Sequence, residues 1–488
     1  MIYDCAIVGA GFGGLGAALT LAEQGARVVL FEALKYPGGC ASTFTRGAWR
    51  FESGATLFSG FDEAQLFARW IDRHHLPVET RVPDPLVELR TPQFTLPVSA
   101  RRDELVARLG AFPGAPRDRL AAFFARQSSL AGALWSLFDD PALLPPFGAR
   151  ELVTHLARSP RYLPLLPWVG RSLADFVAAH GLDGFDPLRV YLDAVSQITV
   201  QASAADAEAP FALATVDYYF RGTRHVHGGI GALATAMLDA ARALGVEVRL
   251  SDAVQGLAPT ADGWRVRARR GEVEARQVIA NVIPQALTTL LGDAMPELAG
   301  LTRRVEGGWG AAMLYLGLAR DAAVRAEAHH LELVDDAGAA FVEGNHVFCS
   351  LSGADEPRGP DGGRTVTAST HVPMPKLRAL SPAAQGEYIA AVQAAMARTI
   401  ERRAPELTAA TVHRLSASPR TFARFVGRTG GYVGGVPRTR GLGNYAGMFP
   451  APVRPGLWMV GDSVFPGQST LATALGGAKV AGLVAQGR

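Results

Sequence analysis

Tyr3 to Val8 is a short apolar run in which Ile7 and Val8 lead straight into Gly9. Its length and β-branched content predict a buried strand. Leu15 to Gln24 has helical composition, and Gly25 is a natural C-terminal stop. Ala26 to Phe31 reads as a second strand ending at Glu32. The uncharged stretch Cys5 to Ala22 is long enough to suggest a membrane span. It contains Gly9, Gly11, Gly13, Gly14 and Gly16, however, and that backbone freedom suits a strand–turn–helix better than a lipid-facing helix. No basic segment precedes it, so a signal peptide is not expected either. Further on, residues 100–220 are mostly helical in pattern. Val254 to Asn281 reads as strands with turns at Asp262-Gly263 and Arg270-Gly271. Ala311 to Leu318, His346 to Leu351 and Thr365 to His371 are strand-like, and residues 381–404 look helical. Near the end, Gly456 to Val460 is an apolar strand that runs into Gly461-Asp462, and Leu471 to Gln486 follows as a helix.

Composition narrows the class. The chain has 488 residues, 48% hydrophobic and 19% charged, which excludes disordered, collagen-like and coiled-coil chains. The net charge of +3 is spread over the chain, and no basic block resembles a nucleic-acid arm, so no nucleic-acid partner is expected. Cys5, Cys40 and Cys349 are scattered and odd in number. They suggest no disulfide framework and no Cys-x-x-Cys metal site, and they fit a reducing cytoplasm.

Chemistry enters at Gly9-Ala10-Gly11-Phe12-Gly13-Gly14, a G-x-G-x-x-G between a strand and a helix. Gly9 permits the tight turn, and Gly11 lets backbone approach a pyrophosphate. Gly14 lets helix and strand pack closely. The free N–H groups and dipole of the helix start favour an anion there. Glu32, 23 residues after Gly9, is placed to accept from the ribose hydroxyls of a dinucleotide. A glycine-rich turn without a ligand is the alternative, weakened by the flanking strands and terminal acid. Lys35-Tyr36-Pro37-Gly38-Gly39-Cys40 then adds a second glycine pair, suited to a loop passing close to a larger cofactor. Trp49 to Thr56 returns as a strand and turn.

This strand–GxGxxG–helix–strand–Glu start, the Pro-Gly-Gly loop and the Phe51-Glu52-Ser53-Gly54-Ala55-Thr56 segment resemble the flavin amine oxidase and phytoene desaturase superfamily. The resemblance implies that these parts, including Phe12, Ala33, Ala55 and Thr56, line FAD. Many members carry arginine directly after the glycine pair, where this chain has Cys40. Gly461-Asp462 supplies the second half of the signature: Asp462 is expected to accept from ribityl hydroxyls, and Gly461 to let backbone approach. Ser469 or Thr470 is a good N-cap, and the helix start would point its positive end at the flavin pyrimidine edge. Gly461-Asp462-Ser463-Val464-Phe465-Pro466-Gly467-Gln468, with the helix start at Ser469, Thr470 and Leu471, looks like the carotenoid desaturase and cis–trans isomerase branch, especially the isomerases. The resemblance further implies that Val254 meets adenine through its backbone and that Asn281 lies near the flavin side.

The expected fold is α/β, a Rossmann-like FAD-binding domain with a second α+β substrate domain inserted. The FAD-binding domain is expected at residues 1–75, 222–300 and 440–488, and the substrate domain at 76–221 and 301–439. A second glycine motif, Gly228-Gly229-Ile230-Gly231-Ala232-Leu233-Ala234, precedes a helix (Leu233 to Leu244) and a strand (Val246 to Leu250). The segment before it, Arg221 to His227, is too polar for a buried parallel strand, so a second nucleotide site is not expected. His225-x-His227 lacks a third metal ligand nearby, and Ser463 lacks the final glycine of a nucleophile elbow. Ala131 to Val169 is rich in Leu, Phe and Trp and interrupted by prolines. It reads either as buried helical core or as an apolar mouth that docks on a bilayer and admits a long lipid, with Arg150, Arg158, Arg161 and Arg171 facing headgroups.

The resemblance implies an FAD-dependent oxidoreductase acting on a long apolar polyene, as a carotenoid desaturase or cis–trans isomerase. Oxygen or a quinone would be the electron acceptor in desaturation. The setting would be cytoplasmic or peripheral at the inner face of the membrane. An amine or other small-molecule oxidase, a retinol-saturase-like reductase and a non-catalytic flavin or lipid binder stand as alternatives. The sequence singles out no catalytic acid or base and no metal ligands.

Overall fold

The computed structural model describes residues 2–54, 56–320, 324–325 and 327–487. Two seven-stranded sheets organise the chain. The first is built around five parallel strands. Strand β1 (Ile2–Val8) runs between Gly271–Ala280 and β2 (Val28–Phe31), with Leu457–Met459 and Glu247–Arg249 outside them. Strands Val254–Thr260 and Gly263–Ala268 extend it in antiparallel fashion. Every residue of β2 and of Leu457–Met459 is buried, as expected for parallel strands covered on both faces. Helix α1 (Phe12–Glu23) and the C-terminal helix Thr470–Ala485 pack together over one face.

The second sheet takes its strands from two stretches. Its order is Thr411–Ala417, Trp309–Leu318, Arg364–Pro373, His346–Leu351, His329–Val334, Val87–Arg90 and Thr95–Val98. Only the pairing of His330 with Val87 and its neighbours is parallel. Side chains alternate across it with period two. Ala312, Leu314 and Leu316 join the core under the long helix Pro382–Arg403, whereas Met313 and Tyr315 pack with Trp49 and Phe51. Residues 102–220 are helical between short turns.

The predicted turns at Asp262-Gly263 and Arg270-Gly271 join their strands in the expected places. Four strands of the second sheet escaped the sequence pattern. Val87–Arg90 and Thr95–Val98 are short, and Thr411–Ala417 is an edge strand with mostly polar outward positions. His329–Val334 begins with two histidines and contains Glu332, yet all six residues are buried. Burial there is tolerated because Tyr219 donates to Glu332 at 2.7 Å and His330 bonds Ser350 at 2.6 Å. Burial pushes the Glu332 carboxyl up to about 7 and the His330 ring down to about 3, so His330 is neutral at pH 7.

The second glycine motif has a structural occupant. Gly229 caps helix Ile230–Ala243 at φ +93°, and the Glu52 carboxylate accepts from the Ile230 N–H at 3.2 Å. Arg358 donates to Glu52 at 2.6 Å and to Glu356 at 2.8 Å, and Glu356 also pairs with His225. An acid from strand Trp49–Glu52 thus occupies that helix start, and His225 is hydrogen-bonded to Glu356. The chain of Glu52, Arg358, Glu356 and His225 joins the two sheet systems, together with Tyr315 donating to the Ser53 carbonyl at 2.7 Å. Arg358 is only 4% exposed, so removing it strands two buried carboxylates. We predict that Arg358→Met lowers stability by about 3–5 kcal/mol in denaturant titration. Burial alone would raise the Glu356 carboxyl, but His225 and Arg358 outweigh it and hold it far below the usual range. Its stabilisation is therefore present above about pH 4.3 and lost as pH falls below that. Glu356→Gln should flatten the acid limb of a stability-against-pH curve.

Candidate functional site

The parallel strands end level with one another. Gly9 N–H donates to Phe31 O at 2.8 Å and Glu32 N–H to Arg249 O at 2.9 Å. Asn281 N–H donates to Val8 O at 2.8 Å and Val460 N–H to Ala280 O at 3.0 Å. Gly9, Glu32, Asn281 and the start of Gly461-Asp462 therefore sit side by side at the carboxyl edge of the sheet. Ligands of open α/β sheets bind at that edge.

Gly9 adopts φ +98°, a backbone state suited to glycine, and Gly14 leaves no room for a Cβ against the Gly9 carbonyl. Gly38 pairs with Gly11, its N–H donating to Ala10 O at 2.8 Å, so the second glycine loop lies directly on the first turn. Gly11, Gly13 and Gly461 face the Asn281 amide: a Cβ would come within 2.7, 2.8 and 2.9 Å of it respectively. These glycines make room for a side chain, a requirement that the motif alone does not reveal.

The Glu32 carboxylate is buried and accepts from Ala10 N–H and Leu34 N–H, both at 2.8 Å. Burial pushes its pKa up, and the backbone donors oppose that shift. Each oxygen keeps a lone pair for a further donor. Asp462 forms an ion pair with Arg428 at 2.7 Å. Ser469 holds φ +101°, and its hydroxyl accepts from Ala472 N–H at 3.0 Å to cap the C-terminal helix. Gln468 donates to the Ile198 carbonyl at 3.0 Å and to that of Thr199, tying the helix start to helix Asp186–Thr199.

These groups border one cavity of about 730 Å³. Gly9, Gly11, Phe12, Gly13, Glu32, Ala33, Gly38, Gly39, Cys40, Thr56, Val254, Asn281, Gly461, Asp462, Gln468, Ser469 and Thr470 all line it. Gly14 packs within the turn and Leu471 is buried in the core beside Gly60, so neither lines it, and Ala55 lies outside the described residues. The second sheet contributes Ala311, Met313, Phe348, Ser369 and His371. Burial lowers the His371 pKa to about 4, so this ring is neutral at pH 7. Among the described residues, the charged side chains on the wall are Glu32, Asp462, Arg428 and Arg438. Arg428 and Arg438 were not legible in the sequence. They stand in loop segments without a motif and reach the cavity only through long-range folding.

Residues 7–73 match a family model for an NAD(P)-binding Rossmann-like domain. Over 99% of this chain, and 83% of the relative, the sequence is 26% identical to a chloroplastic prolycopene isomerase of Arabidopsis thaliana. A hydroxyneurosporene desaturase of Cereibacter sphaeroides is 33% identical over 33% of this chain and 32% of its own. The chain thus resembles carotenoid isomerases along its whole length and a carotenoid desaturase over a third of it. It is an enzyme of the flavoprotein oxidoreductase type. In fold it is similar to an oxidoreductase from Methanosarcina mazei, with a TM-score of 0.65 at 16% identity over 98% of this chain and 99% of that one. It is also similar to putrescine oxidase, with a TM-score of 0.62 at 17% identity over 100% and 99%. The residues fit a flavin dinucleotide. Glycines leave the turn open, and two buried polar atoms of wall residues, Gln201 Oε1 and Thr470 Oγ1, have no hydrogen-bond partner among the described residues.

Glu32 also has a structural duty. We predict that Glu32→Ala, which leaves the Ala10 and Leu34 N–H groups unpaired, destabilises the cofactor-free protein by about 1–3 kcal/mol in chemical denaturation.

Proposed function

We propose that this chain binds FAD along the carboxyl edge of the parallel sheet and acts on a carotenoid-like polyene, as a cis–trans isomerase or a desaturase. Glu32 would accept from the adenosine ribose and the Val254 backbone would meet adenine. The Gly9–Gly14 turn and Gly38-Gly39-Cys40 would flank the pyrophosphate, Asp462 would face the ribityl chain, and Ser469-Thr470 would face the flavin. Bound FAD would supply the electron chemistry: hydride acceptance from an allylic carbon in desaturation, or transient electron donation to the polyene in isomerisation.

The observation that carries this reading is the chemistry of the remaining wall. Leu134, Trp135, Leu137, Phe138, Phe211 and Met448 form an apolar arm of the cavity. A hydrocarbon offers no charge to grip, so its recognition rests on such a surface. The charges on the wall argue against a protonated amine: both cations, Arg428 and Arg438, face the same cavity, and its acids Glu32 and Asp462 sit at the cofactor edge.

Beside that arm, helix Ala149–Tyr162 buries none of its residues. Leu152, Val153, Leu156, Leu163 and Leu166 are each at least half exposed. Phe147 contacts Phe449, the neighbour of Met448, with ring centroids 6.4 Å apart. No helix among the described residues is long and apolar enough to cross a membrane. We propose that this amphipathic helix rests in the bilayer interface, its arginines toward anionic headgroups, so that an apolar substrate enters from lipid.

The purified protein should be yellow, and it should convert either poly-cis lycopene supplied in liposomes with the flavin pre-reduced under anaerobic conditions, or phytoene supplied in liposomes with a quinone or oxygen present to take up the two electrons. Product of unchanged mass and shifted spectrum on chromatography supports isomerisation, and loss of two hydrogens supports desaturation. A flavin-loaded protein that leaves every polyene untouched overturns the substrate reading. Leu156→Asp combined with Val153→Asp should reduce sedimentation with anionic vesicles at least about tenfold, since an apolar side chain in the interface is exchanged for a charge.

A further inference from the structure

Asp462 does not stand alone at the strand end. Its partner Arg428 comes from the segment after helix Pro419–Val426, which ends at Gly427 in the left-handed conformation at φ +69°. That turn directs Arg428 into the cavity wall. Its Nε donates to the Tyr432 carbonyl and one terminal nitrogen to Asp462, which fixes the plane of the guanidinium. The other terminal nitrogen has no oxygen or nitrogen acceptor among the described residues. The Cys40 thiol is its further side-chain neighbour: burial pushes that thiol up, and the arginine charge draws it back.

Position 40 closes the loop whose Gly38 pairs with Gly11 and whose Gly39 lies 3.7 Å, measured from an added Cβ, from the Gly11 Cα. The guanidinium therefore stands where the first turn, the second glycine loop and Gly461-Asp462 meet. Neither Gly9–Gly14 nor Gly38-Gly39-Cys40 carries a cation, and Lys35 at the start of the second loop is exposed and does not line the cavity, although a dinucleotide brings two phosphate charges to that point. Arg438, the other cation of the wall, lies instead over the Phe211 ring, 5.1 Å from its centroid, and donates to the Pro466 carbonyl.

We propose that Arg428 is the cation for the diphosphate–ribityl segment of the cofactor. It would be delivered from a distant stretch of chain into the space that a long side chain at position 40 would otherwise fill, and Asp462 would hold it there. This rests on the FAD reading above. Arg428 is a binding and positioning residue in this role and takes no part in bond making.

The test relocates the charge. FAD dissociation constants and melting temperatures are measured for the apoproteins of wild type, Arg428→Gln, Cys40→Arg and the Cys40→Arg/Arg428→Gln double variant at two salt concentrations. Arg428→Gln should bind FAD about 10–100-fold more weakly, which corresponds to roughly 1.4–2.7 kcal/mol, with a shallower salt dependence. The double variant should recover to within about tenfold of wild type, because the guanidinium returns from the other side of the same space. An Arg428→Gln protein that binds FAD like wild type with an unchanged salt slope overturns the proposal. So does a folded double variant that shows no recovery. Should Arg428→Gln alone fail to fold, the double variant decides by the same criterion. Wild-type protein that binds no FAD overturns the FAD reading and this inference together, so the two failures are distinguishable.

Discussion

The two ends of the chain are held together by backbone contact between helices. A Cβ on Gly477 would overlap the Gly13 carbonyl, and one on Gly16 would overlap that of Ala474. Helix α1 and the C-terminal helix can cross this closely only because small residues line the seam, and both are buried almost throughout. The seam fixes the start of α1 beside the start of the C-terminal helix. Strand Leu457–Met459 then lies in register with Gly271–Ala280, and through it with β1. The level carboxyl edge follows from that register. A wider crossing would move Asp462 and Ser469 away from Gly9, and the cavity wall would open. Residues separated by more than 450 positions meet here at no cost in local strain beyond a few positive-φ turns.

The sequence was most readable where a local rule decides the outcome. The strand, turn and helix of residues 2–23 have consistent periodicity and glycine placement. The strands between Val254 and Ala280 are marked by turn residues. The readable part of the site was the part carried by strand ends: Gly9, Glu32, Asn281 and Gly461-Asp462. What stayed hidden depends on distant partners. His329–Val334 reads as polar, and it is buried only because Tyr219 and Ser350 satisfy its Glu332 and His330. Thr411–Ala417 owes its strand to pairing with Trp309–Leu318. Arg428 and Arg438 lie in a glycine- and proline-broken stretch whose path is set by Gly427, Gly434 and Gly435 at positive φ. No periodicity marks such a stretch, so its cavity-facing residues cannot be told from surface ones.

The two glycine motifs show how the same local geometry serves different ends. Both place a helix start behind glycine at positive or extended backbone angles. At the first, the helix start opens on the cavity, and Glu32 binds the turn from one side without filling it. At the second, Glu52 enters the helix start and is itself neutralised by Arg358. A helix N-terminus attracts negative charge in either case. Whether that charge comes from a ligand or from the protein depends on which side chain the tertiary fold brings to it.

Polarity divides the cavity along the same logic. Glu32, Asp462 and Arg428 gather where backbone N–H groups and glycine turns can balance them, at the carboxyl edge of the parallel sheet, while Arg438 lies over the Phe211 ring. Another part of the wall, formed by Leu134, Trp135, Leu137, Phe138, Phe211 and Met448, is apolar and aromatic. It adjoins a helix whose leucines and valine face outward. A water-soluble substrate would gain little from that wall and would leave it wetted. A long apolar molecule gains at each step from the exposed helix inward, since burial of apolar area is favourable at roughly 25 cal/mol per Å². The neutral His371 and the absence of any carboxylate from that arm, among the described residues, remove the groups that would grip an ammonium. Shape and hydrophobicity then select the substrate, and the charged edge remains free to hold the dinucleotide.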